Sequence, residues 1–188
     1  MKVIQLHHKN NTTLLKKAAK GKRNAQQTLF EIHAPKMLSV CRYYVKDMQH
    51  AESVMLNAFY KAFVNLKNFK NEGSFEGWLR RIMVRESISF LRQQKQMEFS
   101  VEEDQLQQEP YNNVESQIEV AQIQQLIDEL PEGYKVVFVM YAIEGYKHQE
   151  IAEILNISLG TSKSQLFKAR QMLQKKIKDI NTTSYGTN

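Results

Sequence analysis

Residues 149–178 have the sequence QEIAEILNISLGTSKSQLFKARQMLQKKIK, in which two helical patterns are separated by only three residues, Asn156, Ile157 and Ser158. The first pattern places the small side chain of Ala152 on its packing face, and the turn carries an apolar residue. Two helices joined by so short a turn form a helix-turn-helix, whose second helix enters the major groove of DNA. The stretch therefore predicts a DNA-binding domain.

The second helix of this pair, predicted from Leu159 to Lys178, carries six basic residues and no acidic one. Its first turns also hold short polar side chains, which can bond to phosphate oxygens or base edges. A solvated terminal helix, the alternative interpretation, would normally mix both signs of charge. We therefore predict a recognition helix with duplex contacts from Thr161, Lys163, Ser164, Gln165, Phe167, Lys168 and Arg170.

The distribution of charge divides the chain into two modules. From Glu98 to Glu119 there are seven acidic residues and no Lys or Arg, and the stretch has little apolar surface to bury. It predicts a flexible acidic linker over residues 97–117. The linker joins an N-terminal domain, residues 1–96, to a C-terminal domain, residues 118–181, and residues 182–188 are expected to form a disordered tail.

Composition and periodicity favour an all-α fold of two small helical domains. The 188 residues include only three prolines and seven glycines, and the net charge of +6 suits a polyanionic partner. Apolar side chains recur at spacings of three and four, as in amphipathic helices. These stripes predict a helix beginning at Pro35, others over Gln49–Leu66 and Phe75–Gln94, and in the C-terminal domain helices over Tyr134–Glu144 and Lys147–Leu155.

A second basic cluster lies on the predicted helix Phe75–Gln94 and consists of Arg80, Arg81, Arg85, Arg92 and Lys95. Three aromatic residues lie just before or among these cations: Phe69, Phe75 and Trp78. Single-stranded DNA is bound by this combination, because bases stack on aromatic rings and phosphates require neutralisation. Trp78 is equally compatible with a place in the core, so the pattern by itself leaves both interpretations open.

Other features argue against an enzyme, a metal site or a membrane protein. Cys41 is the only cysteine and lies on an apolar stripe, which predicts a buried thiol and excludes a cysteine-rich zinc site. His148 with Glu150 and Glu153 does not form a metal-binding face. No phosphate loop, HExxH motif, signal peptide or long apolar run is present. We expect a cytoplasmic protein with no cofactor, no metal and no catalytic residue.

Short motifs are spread along the chain from about Leu14 to Ile177. In the N-terminal domain they are Ala51-Glu52, Ala58-Phe59, the run Gly73–Ile82, and Phe90–Arg92. In the C-terminal domain they are Leu130–Tyr134, Glu144–Tyr146, Glu150–Glu153, Gly160–Ser164 and Lys168–Leu173. In this order and spacing they resemble the extracytoplasmic-function group of sigma factors, within the sigma-70 family of bacterial transcription initiation factors.

The resemblance implies a protein that binds RNA polymerase core and directs it to promoters. It implies that the helix Gln49–Leu66 docks on the clamp coiled coil of the largest subunit through Glu52, Met55, Asn57, Phe59, Tyr60 and Phe63. It implies that the loop Lys67–Ser74 and the helix after it capture the melted −10 element through Asn68, Phe69, Lys70, Phe75, Trp78, Arg80, Arg81 and Arg85. The helix-turn-helix is then expected to bind the −35 element as duplex.

The implied partners are macromolecules. They are RNA polymerase core, including the flap of its second subunit, and promoter DNA in both duplex and single-stranded form. The acidic linker is expected to thread toward the active-site and RNA-exit channels. The resemblance also admits an anti-sigma factor as a partner, and it implies no membrane insertion.

The chain departs from the family pattern in three places. Ser53 and Leu56-Asn57 stand where the family often has acidic residues and a Gln-Glu pair, so the implied docking face is less acidic. Arg85 stands where an asparagine is frequent. Ser162 replaces the usual apolar residue of the recognition helix.

Two other functions are alternatives. A repressor or a response-regulator output domain would use the helix-turn-helix similarly, but it would need a sensor or dimerisation domain. The N-terminal domain shows no βα pattern that could carry a phosphoacceptor. An enzyme is the second alternative, but the sequence lacks the phosphate-loop and metal-binding motifs that would support it.

Overall fold

The computed structural model describes residues 12–70, 72–94, 97, 99 and 120–185, and within these residues the chain is helical and has no strand. The predicted all-helical fold is confirmed. None of the described helices has an apolar stretch that could cross a membrane. The helices are α1 (residues 12–19), α2 (Arg23–Tyr44), α3 (Met48–Val64), α4 (Phe75–Gln93), α5 (Val120–Asp128), α6 (Glu132–Phe138), α7 (His148–Leu155) and α8 (Leu159–Tyr185).

The chain divides into two compact units, Met1–Phe90 and Leu91–Asn188, with the division falling inside α4. The predicted linker lies outside the described residues, apart from positions 97 and 99. At the C-terminal end, α8 continues to Tyr185, past the domain end predicted at residue 181. Residues 186–188 of the predicted tail lie outside the described residues.

An antiparallel hairpin of α2 and α3 builds the core of the first unit. Asp47 caps α3, because its carboxylate accepts the backbone N–H of His50 at 2.8 Å. The predicted burial of Cys41 is confirmed, and its Sγ lies 3.8 Å from Met83 Sδ. Other fully buried apolar side chains come from all three long helices: Leu29, Met37, Ala51, Ala58, Ala62, Leu79 and Val84.

Pro35 lies inside α2 and begins no helix, so that prediction is wrong. A proline in a helix removes one backbone hydrogen bond and crowds the preceding turn. The helix continues because its apolar stripe is buried on both sides of the proline, at Leu29 and at Met37. Burial of this continuous stripe outweighs the single missing hydrogen bond.

The second unit has a core in which α6 packs against α8. The sequence predicted one α-helix over Tyr134–Glu144, which is wrong from its middle onward: the α-helix gives way to a wider π-helical segment, Val139–Ile143. The segment keeps Val139 and Met140 fully buried while it leaves Tyr141 exposed. Gly145, with a φ of 76°, lies just after the segment, where the helical conformation ends.

Candidate nucleic-acid interfaces

A surface pocket of about 390 Å³ lies in the first unit, where the loop after α3 meets the first turns of α4. Its walls combine aromatic rings with amide, ammonium, carboxylate and guanidinium groups. The lining residues are Asn68, Phe69, Lys70, Glu72, Gly73, Ser74, Gly77, Trp78 and Arg81. Five of the eight residues predicted to contact single-stranded DNA are therefore brought together here, namely Asn68, Phe69, Lys70, Trp78 and Arg81.

Local backbone geometry shapes this pocket. Gly73 has a φ of 97°, a conformation that residues with side chains rarely adopt. Ser74 caps α4, because its Oγ accepts the Gly77 N–H at 3.0 Å. A Cβ at Gly77 would approach that Oγ to 3.1 Å, so the glycine leaves the first turn of α4 open toward the pocket.

Two aromatic rings, Phe69 and Trp78, line the pocket, and a third ring, Phe75, packs against both. The ring of Phe69 lies 5.3 Å from that of Trp78 and 5.9 Å from that of Phe75, and the last two are 5.8 Å apart. Phe75 is only 4% exposed. Its prediction as a direct DNA contact is therefore wrong: it was placed on the surface by its neighbours in sequence, but it packs beneath the two rings that line the pocket.

His33 of α2 supports the cluster from below. Its ring meets the edge of Phe75 with centroids 5.3 Å apart. Burial lowers the pKa of His33, the nearby Glu76 carboxylate opposes that shift, and Lys36 adds to it. Lys36 and Glu76 also form an ion pair that joins α2 to the start of α4.

Positive charge continues along α4 beyond the pocket. Arg81 and Arg85 are exposed one turn apart, and neither forms an ion pair with a side chain in the described part of the chain. Glu86 is the only acidic residue from 77 to 97, and Lys61 of α3 binds both of its oxygens at 2.8 and 2.7 Å. The exposed face of α4 therefore carries net positive charge. Arg80, a predicted contact, is half-buried on another face and does not line the pocket.

The sequence interpretation missed the carboxylate and small residues of the pocket. Glu72, Gly73, Ser74 and Gly77 line it, but none was predicted as a contact. The sequence analysis predicted a loop over Lys67–Ser74. It did not indicate that this loop and the first turn of α4 would share one pocket.

A ridge of exposed residues runs along α3 at intervals of four, and we call it the docking stripe: Met48, Glu52, Leu56, Tyr60 and Val64. Leu56, Tyr60 and Val64 are 53%, 70% and 60% exposed. Exposed apolar side chains that adjoin one another mark surfaces for partners. Of the predicted docking residues, Glu52, Asn57 and Tyr60 are exposed and Phe63 is partly exposed.

Met55 and Phe59, the other two predicted docking residues, lie in the core at 6% and 2% exposure. Their prediction as docking residues is wrong. Phe59 packs on Phe30 of α2 with ring centroids 4.8 Å apart. Their assignment to the docking face came from the family resemblance, whereas the apolar spacing of α3 places both residues on the stripe that packs into the core.

The helix-turn-helix has the predicted short turn. Asn156 ends α7 in the left-handed conformation, with a φ of 56°. Ser158 caps α8, because its Oγ accepts the Thr161 N–H at 2.9 Å. At the other end, the Glu150 carboxylate accepts the Lys147 N–H at 2.8 Å and caps α7.

One face of α8 is exposed near its N-terminus. At 100° per residue, Leu159, Lys163, Phe167, Arg170 and Gln171 fall on this face. Leu159, Lys163 and Gln171 are exposed, and the other two are partly exposed. Leu159 and Gln171 were missed as candidates, because the sequence interpretation counted charges and small polar groups and not the helical face.

Ser164 and Gln165 are buried, with Gln165 only 1% exposed. Their prediction as residues that face the groove is therefore wrong, since both lie on the side of α8 that packs into the unit. Thr161 and Lys168 are partly exposed at its flank. Ser164 Oγ donates to the carbonyl of Thr161 at 3.0 Å, which satisfies its hydroxyl within the helix.

A polar cluster joins the π-helical segment to both helices of the motif. The ring of His148 stacks on Tyr141 with centroids 4.6 Å apart, and His148 Nδ1 shares a hydrogen bond of 2.9 Å with the Oγ of buried Ser162. The guanidinium of Arg170 lies over the same Tyr141 ring at 5.5 Å. Burial lowers the pKa of His148, and the cations Lys163 and Arg170 add to that shift.

A second groove of about 410 Å³ lies between α5 and the C-terminal half of α8. Its lining mixes apolar and charged side chains: Gln122, Gln125, Leu126, Glu129, Lys176, Asp179 and Ile180. Lys176 and Glu129 form an ion pair across it. Within the described residues, no three His, Cys, Asp or Glu side chains converge to hold a metal ion.

Two models, each for one region of the sigma-70 family, match this chain. Residues 29–97 match the model for Sigma-70 region 2, which covers the pocket, the docking stripe and α4. Residues 121–173 match the model for Sigma-70, region 4, which covers the helix-turn-helix.

Known proteins are similar in sequence to this chain over nearly its full length. The ECF RNA polymerase sigma factor SigW of Bacillus subtilis is 28% identical over 88% of this chain and 96% of its own length. The ECF RNA polymerase sigma-E factor of Escherichia coli K12 is 26% identical over 89% of this chain and 94% of its own length.

Solved structures share the fold. CnrH, solved in complex with the cytosolic domain of CnrY, has a TM-score of 0.51 at 20% identity, over 89% of this chain and 96% of CnrH. RpoE of Bartonella quintana, solved with the anti-sigma factor NepR, has a TM-score of 0.52 at 18% identity, over 79% of this chain and 94% of RpoE.

Proposed function

This chain belongs to the sigma-70 family, in its extracytoplasmic-function group, and is a promoter-directing transcription initiation factor; from that membership we propose how its surfaces divide the work. The first unit binds polymerase core and holds the opened −10 element. The second unit binds the −35 element as duplex. The observation that carries the proposal is an aromatic pocket beside two exposed arginines, in the same chain as a basic helix-turn-helix.

The pocket accepts one unstacked base of the opened strand. Phe69 and Trp78 offer ring surfaces, while Asn68, Lys70 and Glu72 offer donors and acceptors for the edges of a base. Stacking of a base on an aromatic side chain contributes about 1–3 kcal/mol, comparable to the few kcal/mol that unpairing a base costs. Capture of the base therefore offsets the cost of opening the duplex.

Arg81 and Arg85 neutralise the phosphates next to that base. Both are exposed on α4, and Arg81 also borders the pocket. A strand that leaves the pocket along α4 would meet the two guanidinium groups one helical turn apart, about 6 Å. Their charge fixes the strand without selecting its sequence.

The recognition helix contacts the −35 duplex through its exposed face. Lys163 and Arg170 supply charge, and Phe167, Leu159 and Gln171 supply contacts to base edges or methyl groups. Arg170 is oriented by the ring of Tyr141 beneath it. This face replaces the buried Ser164 and Gln165 as the source of base preference.

Polymerase core binds the docking stripe and the groove of the second unit. The docking stripe meets the clamp coiled coil of the largest subunit, and the groove between α5 and α8 receives the flap of the second. An anti-sigma factor, such as the one solved with Bartonella quintana RpoE, would act by covering these same surfaces. The protein acts by binding in the cytoplasm and performs no catalysis.

Reconstitution of the full chain with its host's core polymerase tests this function. Transcripts made from genomic DNA are mapped to their start sites, with core polymerase alone as the control. We expect shared motifs at −35 and −10 upstream of those start sites only when the chain is present. The proposal fails if core polymerase does not bind the chain or gains no promoter selectivity from it.

A further inference from the structure

Five cations lie at the corner where α1 meets α2, and we propose that they bind the phosphate backbone of promoter DNA beside the opened −10 element. All five side chains of this corner cluster are exposed: Lys16, Lys17, Lys20, Lys22 and Arg23. From residue 12 to residue 30 there is no acidic residue. None of the five forms an ion pair with another described side chain. The inference rests on the proposed promoter function and adds a contact to it.

The corner is folded and holds its cations together. Gly21 turns the chain with a φ of 77°, and its N–H donates to the Ala18 carbonyl at 2.9 Å. Gln26 Nε2 donates to the same carbonyl at 3.2 Å, so α2 is tied to the end of α1. Ala18 and Ala25 are buried beneath the turn.

The corner cluster destabilises the helix ends on which its cations lie. Lys22 is the N-cap of α2 and Arg23 is its first residue, and the first turn has no acidic residue. Cations at this end are repelled by the helix macrodipole. Lys16 on α1 and Lys20 just after its end are four residues apart, where like charges also repel each other. A polyanion bound at the corner would remove this repulsion.

The chemistry of the corner fits phosphate better than a protein surface. Protein interfaces have an apolar and aromatic centre and are depleted in lysine. The corner has no exposed large apolar side chain, since the first in the described chain is Ile32. Four of its five cations are lysines, which bind phosphates as point charges without reading bases.

The position of the corner places such phosphates near the pocket. Arg23 lies ten residues before His33 on α2, which is about 15 Å along a helix. His33 supports Phe75, and Phe75 supports the rings of the pocket. At about 3.4 Å per phosphate along one duplex strand, this length corresponds to roughly four or five nucleotides.

The test compares holoenzyme containing the full chain with holoenzyme containing the triple change Lys16→Gln, Lys20→Gln and Arg23→Gln. Affinity for a promoter identified by the reconstitution is measured at several salt concentrations. We expect the logarithmic salt slope to fall by about two to three in magnitude, near 0.9 for each duplex phosphate that is no longer neutralised. Affinity for core polymerase should stay unchanged.

Two controls locate the effect. Lys20→Gln should lower the slope, whereas Lys46→Gln, which removes another exposed lysine of the same unit, should not. Promoter fragments trimmed from one side of the −10 element or the other should abolish the difference between wild type and variant once the contacted segment is missing.

An unchanged salt slope in the triple variant overturns the inference. Weakened binding to core with an unchanged slope also overturns it, and would assign the corner to an acidic surface of polymerase. Both results leave selective initiation by wild-type holoenzyme intact. If the wild-type holoenzyme selects no promoter, the proposed function fails and the corner contact fails with it.

Discussion

At the scale of single residues, His33 connects the core of the first unit to its pocket. Its ring packs on Phe75, which in turn supports Phe69 and Trp78. Burial lowers the pKa of His33 more than the Glu76 carboxylate raises it. The neutral imidazole is therefore the form that this packing favours.

His33 should make the stability of the first unit depend on pH. Its folded pKa lies below the unfolded value of 6.5, so its contribution is fully present above that pH and is lost as pH falls from 6.5 through the folded pKa. The change His33→Gln should therefore reduce the drop in melting temperature between about pH 7.5 and about pH 5.5. Circular dichroism measures the melting temperatures. Equal drops in melting temperature for wild type and variant would contradict this prediction.

Gln165 and Lys163 should separate stability from DNA binding. Gln165 is buried, so Gln165→Ala should lower the melting temperature and leave the order of preferred −35 sequences unchanged. Lys163 is exposed on the outer face, so Lys163→Ala should weaken promoter use, by about 1–3 kcal/mol if it contacts a base.

Transcription from a library of −35 variants distinguishes these outcomes. Lys175→Ala, three turns further along α8, is the matched control and should lower all promoters slightly and evenly. A changed order of preferred bases in Gln165→Ala would show that the buried side chain moves into the groove, against this prediction.

At the scale of elements, α3 shows both what its sequence predicts and what it does not. The spacing of its apolar residues predicted a helix, and α3 spans Met48–Val64. The same spacing puts Phe59 on the apolar stripe and Tyr60 on another face, and Phe59 is 2% exposed while Tyr60 is 70% exposed. The spacing did not predict that the apolar side chains of Leu56 and Val64 would also lie on the exposed face.

Tyr60 should be a main contact for core polymerase. The change Tyr60→Glu places a charge on the docking stripe and should weaken binding to core by about 2 kcal/mol, roughly thirtyfold, as for a central interface residue. Ile32→Glu, at another exposed apolar position, on α2, is the control and should bind core normally. Unchanged affinity in Tyr60→Glu, with retained helicity, would contradict the docking assignment.

The helix-turn-helix was predictable because its boundaries depend on local features. Ser158 caps α8 with its own side chain, and Gly145 supplies the positive φ that follows the preceding segment. The sequence therefore indicated where α8 begins and where the preceding segment ends. The π-helical segment was not predictable. Its residues have ordinary helical spacing, and the wider turn arises from tertiary packing that buries Val139 and Met140.

The pocket was predictable only in part. The sequence placed cations and aromatic rings near one another, which predicted contact with single-stranded DNA. It could not show that Phe75 lies below the surface, because its position in the sequence, next to Trp78 and the arginines, is compatible with either place. It also gave no reason to include Glu72, since a carboxylate beside phosphates is unfavourable unless it serves a base edge.

At the scale of the whole molecule, the proposed function assigns the two units to different forms of DNA. The first unit combines the aromatic pocket with exposed arginines, which suits an opened strand. The second presents a helix with a basic exposed face, which suits a major groove. Opening of the −10 element should therefore be separable from binding of the −35 element.

Footprinting of one promoter with reconstituted holoenzyme tests this separation most directly. Permanganate reactivity of thymines reports the opened −10 element, and nuclease protection reports the −35 element. The double change Arg81→Ala and Arg85→Ala should abolish or strongly reduce thymine reactivity while −35 protection remains near the wild-type level. Unchanged thymine reactivity in the double variant, or disappearance of both footprints together, would contradict the proposed division between the two units.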